Sequence, residues 1–434
     1  MEKNVYLASK PRYEILDGLR GVAAVLVLIY HLCESHFGLG AAHPMNHGYL
    51  AVDFFFALSG FVIGYAYDDR WNSMSTWTFF KRRLIRLHPM VICGSVIGAL
   101  LFYFQQCDVF PNIALTPWWM VLAAMLWSFT MIPVPNALEV RGWGETNPLN
   151  GPTWSLQWEY LANILYALFI RKMGNRMLML CVAVFAVFTV MLCLQIDAFG
   201  LLANRADVMR YTVIGGWGID SESLQVGLTR LFYPFFCGLL LSRMNWLIRL
   251  RGGFWWCSLL IVAVLAMPRF GGDSGEMMWT NGVYNALVIL FVFPLIISIG
   301  AGSSVTGKRS SAINSFLGDI SFPLYITHYP LVHLQVQWIA THPEASVGTH
   351  VFMAVCVFIA SILLAYATYR LYDLPVREWL RKRLFINYSQ KDKNESYEKD
   401  ICFDCHHTMP ANANSGNGCY RNVAKCNHWQ GNQL

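Results

Sequence analysis

Residues 18–32, GLRGVAAVLVLIYHL, form an apolar run broken only by Arg20 and His31. A charged or ionisable residue inside bilayer-spanning sequence is expensive, which makes each of the two a functional candidate by default. At 100° per residue, the eleven steps from Arg20 to His31 amount to three turns plus about 20°, so both side chains share one helix face, about 16 Å apart along the axis. Such a face can grip an anion at one membrane surface and do proton chemistry deep in the bilayer. A polyanionic donor with a long flexible arm suits it.

The rest of the chain agrees with that first helix. Its 434 residues are 56% hydrophobic and only 13% charged, which excludes an ordinary soluble globular class. We expect an all-α, polytopic membrane bundle. A span needs about 17 to 25 apolar residues, and ten are read, at 17–37, 49–67, 87–105, 154–170, 177–196, 226–242, 254–268, 283–300, 316–339 and 350–372. A further stretch, 118–132, suits a re-entrant or interfacial segment. With that stretch left uncrossed, the loop Lys and Arg residues gather on one side, and only Arg141, Arg205, Arg210 and Arg269 fall on the other. That is the asymmetry of cytoplasmic against external loops, and it puts both termini in the cytoplasm. The net charge of +6 then follows from positive-inside loops and requires no nucleic acid. The polar stretch before the first apolar run lacks a small-residue cleavage site, which argues against a removed signal peptide.

Residues 13–385 read as one helical bundle without internal repeat. From residue 386 to 434 the composition turns to Asn, Gly, Lys, Ser and Cys, and a disordered cytoplasmic tail is expected. The tail holds a C-x-x-C-H string of the haem-attachment type, and Cys402, Cys405 and Cys419 with Cys426 or His428 have the ligand types of a zinc site. An extension without function is the preferred reading, with no metal. Eight of the twelve Cys lie in or beside apolar segments, as small buried hydrophobes do.

Five blocks carry the chemistry. The first holds Arg20 and His31. The second, GYLAVDFFFALSGFVIGYAY, puts Asp53 one turn below the outer surface, where a carboxylate needs a partner; Asp53 is the candidate to orient the His31 imidazole. The third, FFKRRLIRLHP, sets Arg83 and Arg86 three apart at the cytoplasmic edge, a pairing suited to phosphate but also an ordinary topogenic signal. The fourth, GPTWSLQWEYLANILY, brings Glu159 to a depth like that of Asp53 and His31, with Trp154 and Tyr160 at the outer mouth able to stack on a sugar or to anchor the interface. Arg230 lies one turn below the outer surface, within reach of a carboxylate. The fifth, FLGDISFPLYITHYPL, lines up Ser321, Tyr325 and His328 as a polar stripe. Asp373 and Arg377 close the last span.

These blocks, LDGLRG with His31, VDFFFALSGF, Arg83 and Arg86 before Pro89, WSLQWE and ISFPLYITH, resemble acyltransferase family 3, the membrane O-acetyltransferases of bacterial polysaccharide and lipopolysaccharide. The resemblance covers about residues 13–380. Phe322 and Pro323 replace a usual Tyr-Ser, Asp373 stands where Glu is frequent, and the external esterase-like domain of many relatives is not read here. The resemblance implies an enzyme of the plasma (inner) membrane that moves an acyl group, usually acetyl, from cytoplasmic acyl-CoA to a hydroxyl of a sugar, glycan or glycolipid. Acyl-CoA is then a co-substrate, and no cofactor is expected. His31, with Asp53 or Glu159, is assigned to catalysis. Arg20, Arg83, Arg86, Arg230, Tyr325 and His328 are assigned to substrate binding.

Two other classes remain open from sequence. Intramembrane Arg, His, Asp and Glu also mark the pathway of a transporter or flippase, although inverted repeats are not seen. A noncatalytic sensor or scaffold on the same bundle is the third reading.

Overall fold

The run that contains Arg20 and His31 forms one unbroken helix, α1 (Glu14–Phe37). Glu14 and Asp17 sit in its first turn, where carboxylates suit the positive end of the helix dipole. It stops at Gly38, whose φ of +68° is open to glycine at little cost. The computed structural model describes residues 10, 12–203 and 205–386. The later helices are α2 (Ala51–Tyr67), α3 (Thr76–Leu101), α4 (Trp118–Ser128), α5 (Trp154–Leu168), α6 (Asn175–Cys193), α7 (Ser221–Met244), α8 (Gly253–Leu265), α9 (Trp279–Leu287), α10 (Phe293–Gly302), α11 (Lys308–Thr327), α12 (Tyr329–Thr341), α13 (Val347–Thr368) and α14 (Leu374–Arg381). The described residues contain no strand.

Among the described residues, seven segments are long and apolar enough to cross a membrane: Glu14–Phe37, Gly48–Ser73, Thr76–Gln105, Asn175–Cys193, Ser221–Met244, Glu276–Gly302 and Val347–Phe385. They fall on seven of the ten expected spans. The other three regions are helical but shorter or interrupted. Helix α5 has 15 residues, about 22 Å at 1.5 Å per residue, and α8 has 13. The expected span at 316–339 is divided between α11 and α12. The stretch at 118–132 yields α4, whose 11 residues cover about half the hydrocarbon thickness. The chain is an all-α membrane bundle.

Two parallel helix pairs build its centre. Along α1 and α11, Glu14 meets Asn314, Arg20 meets Ser321 and His31 meets His328, so the residue numbers rise together. A Cβ on Gly21 would collide with the Leu317 carbonyl, and its absence lets the two backbones touch. Helices α2 and α7 approach in the same way: Gly60 lies against the Phe235 carbonyl and Gly238 against that of Ala57. Leu19, Phe54, Phe61 and Phe293 are fully buried in the core between these pairs.

The break between α11 and α12 has a local cause. Pro330, in the first turn of α12, has no N–H to give the carbonyl of Ile326, four residues earlier. The Asn150 side chain donates to that oxygen instead, at 2.7 Å, and Gln105 Nε2 donates to the Pro330 carbonyl at 2.9 Å. The loop before α5 therefore holds the junction that carries His328.

A first unit of the chain runs to Arg377 and a second begins at Glu378. The described part of the second, up to Ile386, is helical and holds an ion pair between Lys382 and Glu378 at 2.7 Å. The expected tail, with Cys402, Cys405, Cys419, Cys426 and His428, lies outside the described residues.

Candidate active site

His31 sits on the penultimate turns of α1, and its Nδ1 lies 2.6 Å from Oε2 of Glu34. Residues three apart on a helix are neighbours, so one turn of α1 supplies both members of the pair. A carboxylate at Nδ1 favours the tautomer with its proton there, which leaves the Nε2 lone pair to act as a base. The imidazole stacks on that of His328, with centroids 5.6 Å apart, and meets the edge of Tyr329 at 4.8 Å.

At the other end of α1, Arg20 Nε donates to Ser321 Oγ at 2.8 Å, and Nη2 lies 3.3 Å from Asp17. Ser321 and His328 are seven residues apart, two turns of helix. Arg20 and His31 consequently face the same partner rather than opposite sides of the bundle. The charges of Arg86, Glu159 and Arg377 also act on Arg20, and Arg377 is paired with Asp373 at 2.7 Å. Three guanidiniums, of Arg20, Arg86 and Arg377, gather at this end, against the carboxylates of Asp17, Asp373 and Glu159.

Arg83 and Arg86, expected as a pair, part company. Arg83 is 6% exposed and bonds Glu159 at 2.7 Å, while Ser59 donates to the same carboxylate oxygen at 3.1 Å. Glu159 thus meets α3 and α2, and its partner is Arg83, not His31. Glu159 also acts on Arg20 and on Tyr325, which lies between Ser321 and His328 on α11.

Asp53 does not orient His31. It is fully buried and bound to Arg230, with Nη2 to Oδ2 at 2.7 Å and Nε to Oδ1 at 3.3 Å. Arg230 also donates to the carbonyls of Tyr49, at 2.6 Å, and Gly215, at 3.3 Å, and lies over the Trp154 ring. The α2–α7 glycine contact brings these two charges together, and a buried carboxylate takes the strongest donor within reach. The tie fastens α2 to α7, and Glu34 takes the place expected of Asp53. Trp154 is buried beneath Arg230, and the Tyr160 hydroxyl bonds His88 at 3.1 Å.

Tyr325 and His328 are both buried, on different neighbours. The Tyr325 hydroxyl pairs with Ser155 at 2.8 Å and donates to the Pro152 carbonyl at 3.2 Å. His328 Nδ1 donates to the Leu324 carbonyl at 2.9 Å, and its Nε2 has no protein partner. Glu34 and Tyr329, beside His31, are residues that the sequence reading passed over. Glu34 was legible from its i, i+3 spacing. A separate open cavity of about 530 Å³, lined by Asp197, Asp207, Arg210 and Asp273 among others, contains none of the expected site residues.

A family model described as an acyltransferase domain matches residues 13–370. The chain belongs to this acyltransferase family. The membrane acyltransferase is 32% identical over 184 residues to "Protein 2 in picA locus" of Rhizobium radiobacter, covering 41% of this chain and 92% of that protein. It is 25% identical over 341 residues to acyltransferase MdmB of Streptomyces mycarofaciens, with 74% and 79% covered. It is 22% identical over 418 residues to the peptidoglycan O-acetyltransferase OatA of Listeria monocytogenes, where it covers 88% of its own length and 58% of OatA. No solved structure matches.

Proposed function

We propose that this acyltransferase moves an acetyl group from cytoplasmic acetyl-CoA to a hydroxyl of a sugar in a glycan or glycolipid, reached from the lipid or external side of the plasma membrane. The observation that carries the reading is the shared partner of Arg20 and His31: one interface, between α1 and α11, holds an anion grip and a carboxylate-backed imidazole about 16 Å apart. The phosphates of CoA bind Arg20 and Arg86. The pantetheine arm follows α1 past Arg83 and Glu159, and the thioester arrives at His31. The acceptor oxygen attacks the thioester carbonyl carbon and the C–S bond breaks. His31 Nε2 takes the hydroxyl proton and gives it to the departing sulfur, while Glu34 steadies the imidazolium. The relatives named as peptidoglycan O-acetyltransferases support acetyl as the group and a glycan as the acceptor.

The test uses purified protein in detergent with labelled acetyl-CoA. His31→Ala lowers transfer by about 10²- to 10⁴-fold and Glu34→Gln by at least about tenfold, the range of general-base catalysis, with thermal melting points unchanged. Arg86→Ala weakens acetyl-CoA affinity in isothermal titration by about tenfold, the worth of one charge-assisted contact. Wild-type transfer by His31→Ala would overturn the reading.

A further inference from the structure

A row of rings leads from the catalytic imidazole to the surface. Tyr329 touches His31, with centroids at 4.8 Å, and His333 at 4.4 Å; His333 in turn meets Phe110 at 4.9 Å and Trp143 at 5.8 Å. Trp143, the last of the row, is 38% exposed.

Along this row, buried polar atoms have no protein partner. His333 is 1% exposed, yet neither of its ring nitrogens is hydrogen-bonded. The same holds for Nε2 of His328, Oε2 of Glu145 and Nη1 of Arg141. Glu145 Oε1 and the Tyr329 ring edge each lie 2.7 Å from the point a Gly151 Cβ would occupy, so glycine there brings the carboxylate to the ring. Buried groups of this kind are nearly always satisfied, and several orphans at one place need an explanation.

The wall that presents them is tightly held. Arg141 donates from Nε to the Pro148 carbonyl at 2.8 Å and from Nη2 to Gln105 at 2.9 Å, and Glu139 accepts from the backbone of Arg141 and Gly142. Thr146 is tied to the Trp217 carbonyl at 2.7 Å. The acidic group is also unusual: burial pushes the Glu145 carboxyl up to about 7, with the charge of Arg141 opposing and those of Glu139 and Glu34 reinforcing the shift. Near neutral pH it can donate as well as accept. Ring faces beside convergent donors and acceptors match a ligand that is apolar on its faces and hydroxylated at its edge, which describes a pyranose.

Resting on the acyl-transfer reading above, we infer that Trp143, His333 and Glu145 form the acceptor subsite, receiving one sugar ring of a carbohydrate chain and delivering its hydroxyl to His31. Trp143 stacks on the sugar, and the orphaned nitrogens and oxygens bind its hydroxyls.

The experiment measures initial rates of acetyl transfer to solubilised peptidoglycan strands, with acetyl-CoA and strands varied separately. Trp143→Ala and Glu145→Gln are expected to raise the KM for strands by about tenfold or more while the KM for acetyl-CoA stays within twofold. Trp143→Phe, which keeps a ring, restores most of the acceptor KM and controls for misfolding. The inference is overturned if the acceptor KM is unchanged in both variants, or if both KM values move together. Wild-type protein that hydrolyses acetyl-CoA without modifying the strands also overturns it. A wild-type protein that neither transfers nor hydrolyses instead removes the acyl-transfer reading beneath it.

Discussion

The His31–Glu34 pair is assembled within a single helical turn, so its geometry depends on α1 staying helical and little else. The Asp53–Arg230 pair is of another kind, built across two helices and withdrawn from water on both sides. Removing one partner of such a pair leaves an uncompensated buried charge, while replacing both with apolar groups is often tolerated. Asp53→Ala is therefore expected to lose about 3–5 kcal/mol of stability, seen as a lowered melting point in detergent. The double variant Asp53→Leu with Arg230→Met should recover the fold and keep acetyl transfer. A folded but inactive double variant would return these residues to the chemistry. The assignment of Asp53 to His31 was open to error because sequence gives depth along a helix but not rotation about its axis. Depth alone leaves several carboxylates eligible, and the closer candidate lay in the same helix as His31.

Helices α11 and α12 show what one residue does to an element. Pro330 was visible in the sequence, and so was the helical stripe of Ser321, Tyr325 and His328. The consequence of Pro330 was not, because the group that compensates for it, Asn150, lies 176 positions before the Ile326 carbonyl it serves. Asn150→Ala leaves the Ile326 carbonyl buried without a donor, a loss of about 1–3 kcal/mol. The melting point should fall accordingly, and kcat should fall with it as the junction shifts His328 against His31. A variant with unchanged kcat would show that the junction is not needed to hold the imidazoles in place. Gly21 carries a comparable message. A glycine in an apolar helix was legible, but the identity of the backbone pressed against it was not.

At the scale of the molecule, apolar length and loop charge were enough to read an all-α membrane bundle. They overstated the regularity of three segments because α5, α8 and the α11–α12 region are short or broken. The loop before α5 had no pattern to read, and its buried Glu145 emerges only when chain segments far apart in sequence are brought together. That carboxyl gives the whole fold a pH dependence. Its ordinary value is 4.5 and the folded protein holds it near 7, so the folded state favours the protonated form. The resulting stability is fully present below about 4.5 and is lost as pH rises through about 7, a change on the order of 3 kcal/mol. Melting points of wild type should decline over that interval relative to Glu145→Gln, and parallel curves would show that Glu145 ionises without cost. Helix α1 runs unbroken from Glu14 to Phe37. With a fixed rise per residue and no interruption between its two stations, the helix works as a measuring rod. Under the proposed reaction, a donor whose anionic head sits closer to its thioester than the rod is long would fall short at the far mark, and selection by reach would precede selection by chemistry.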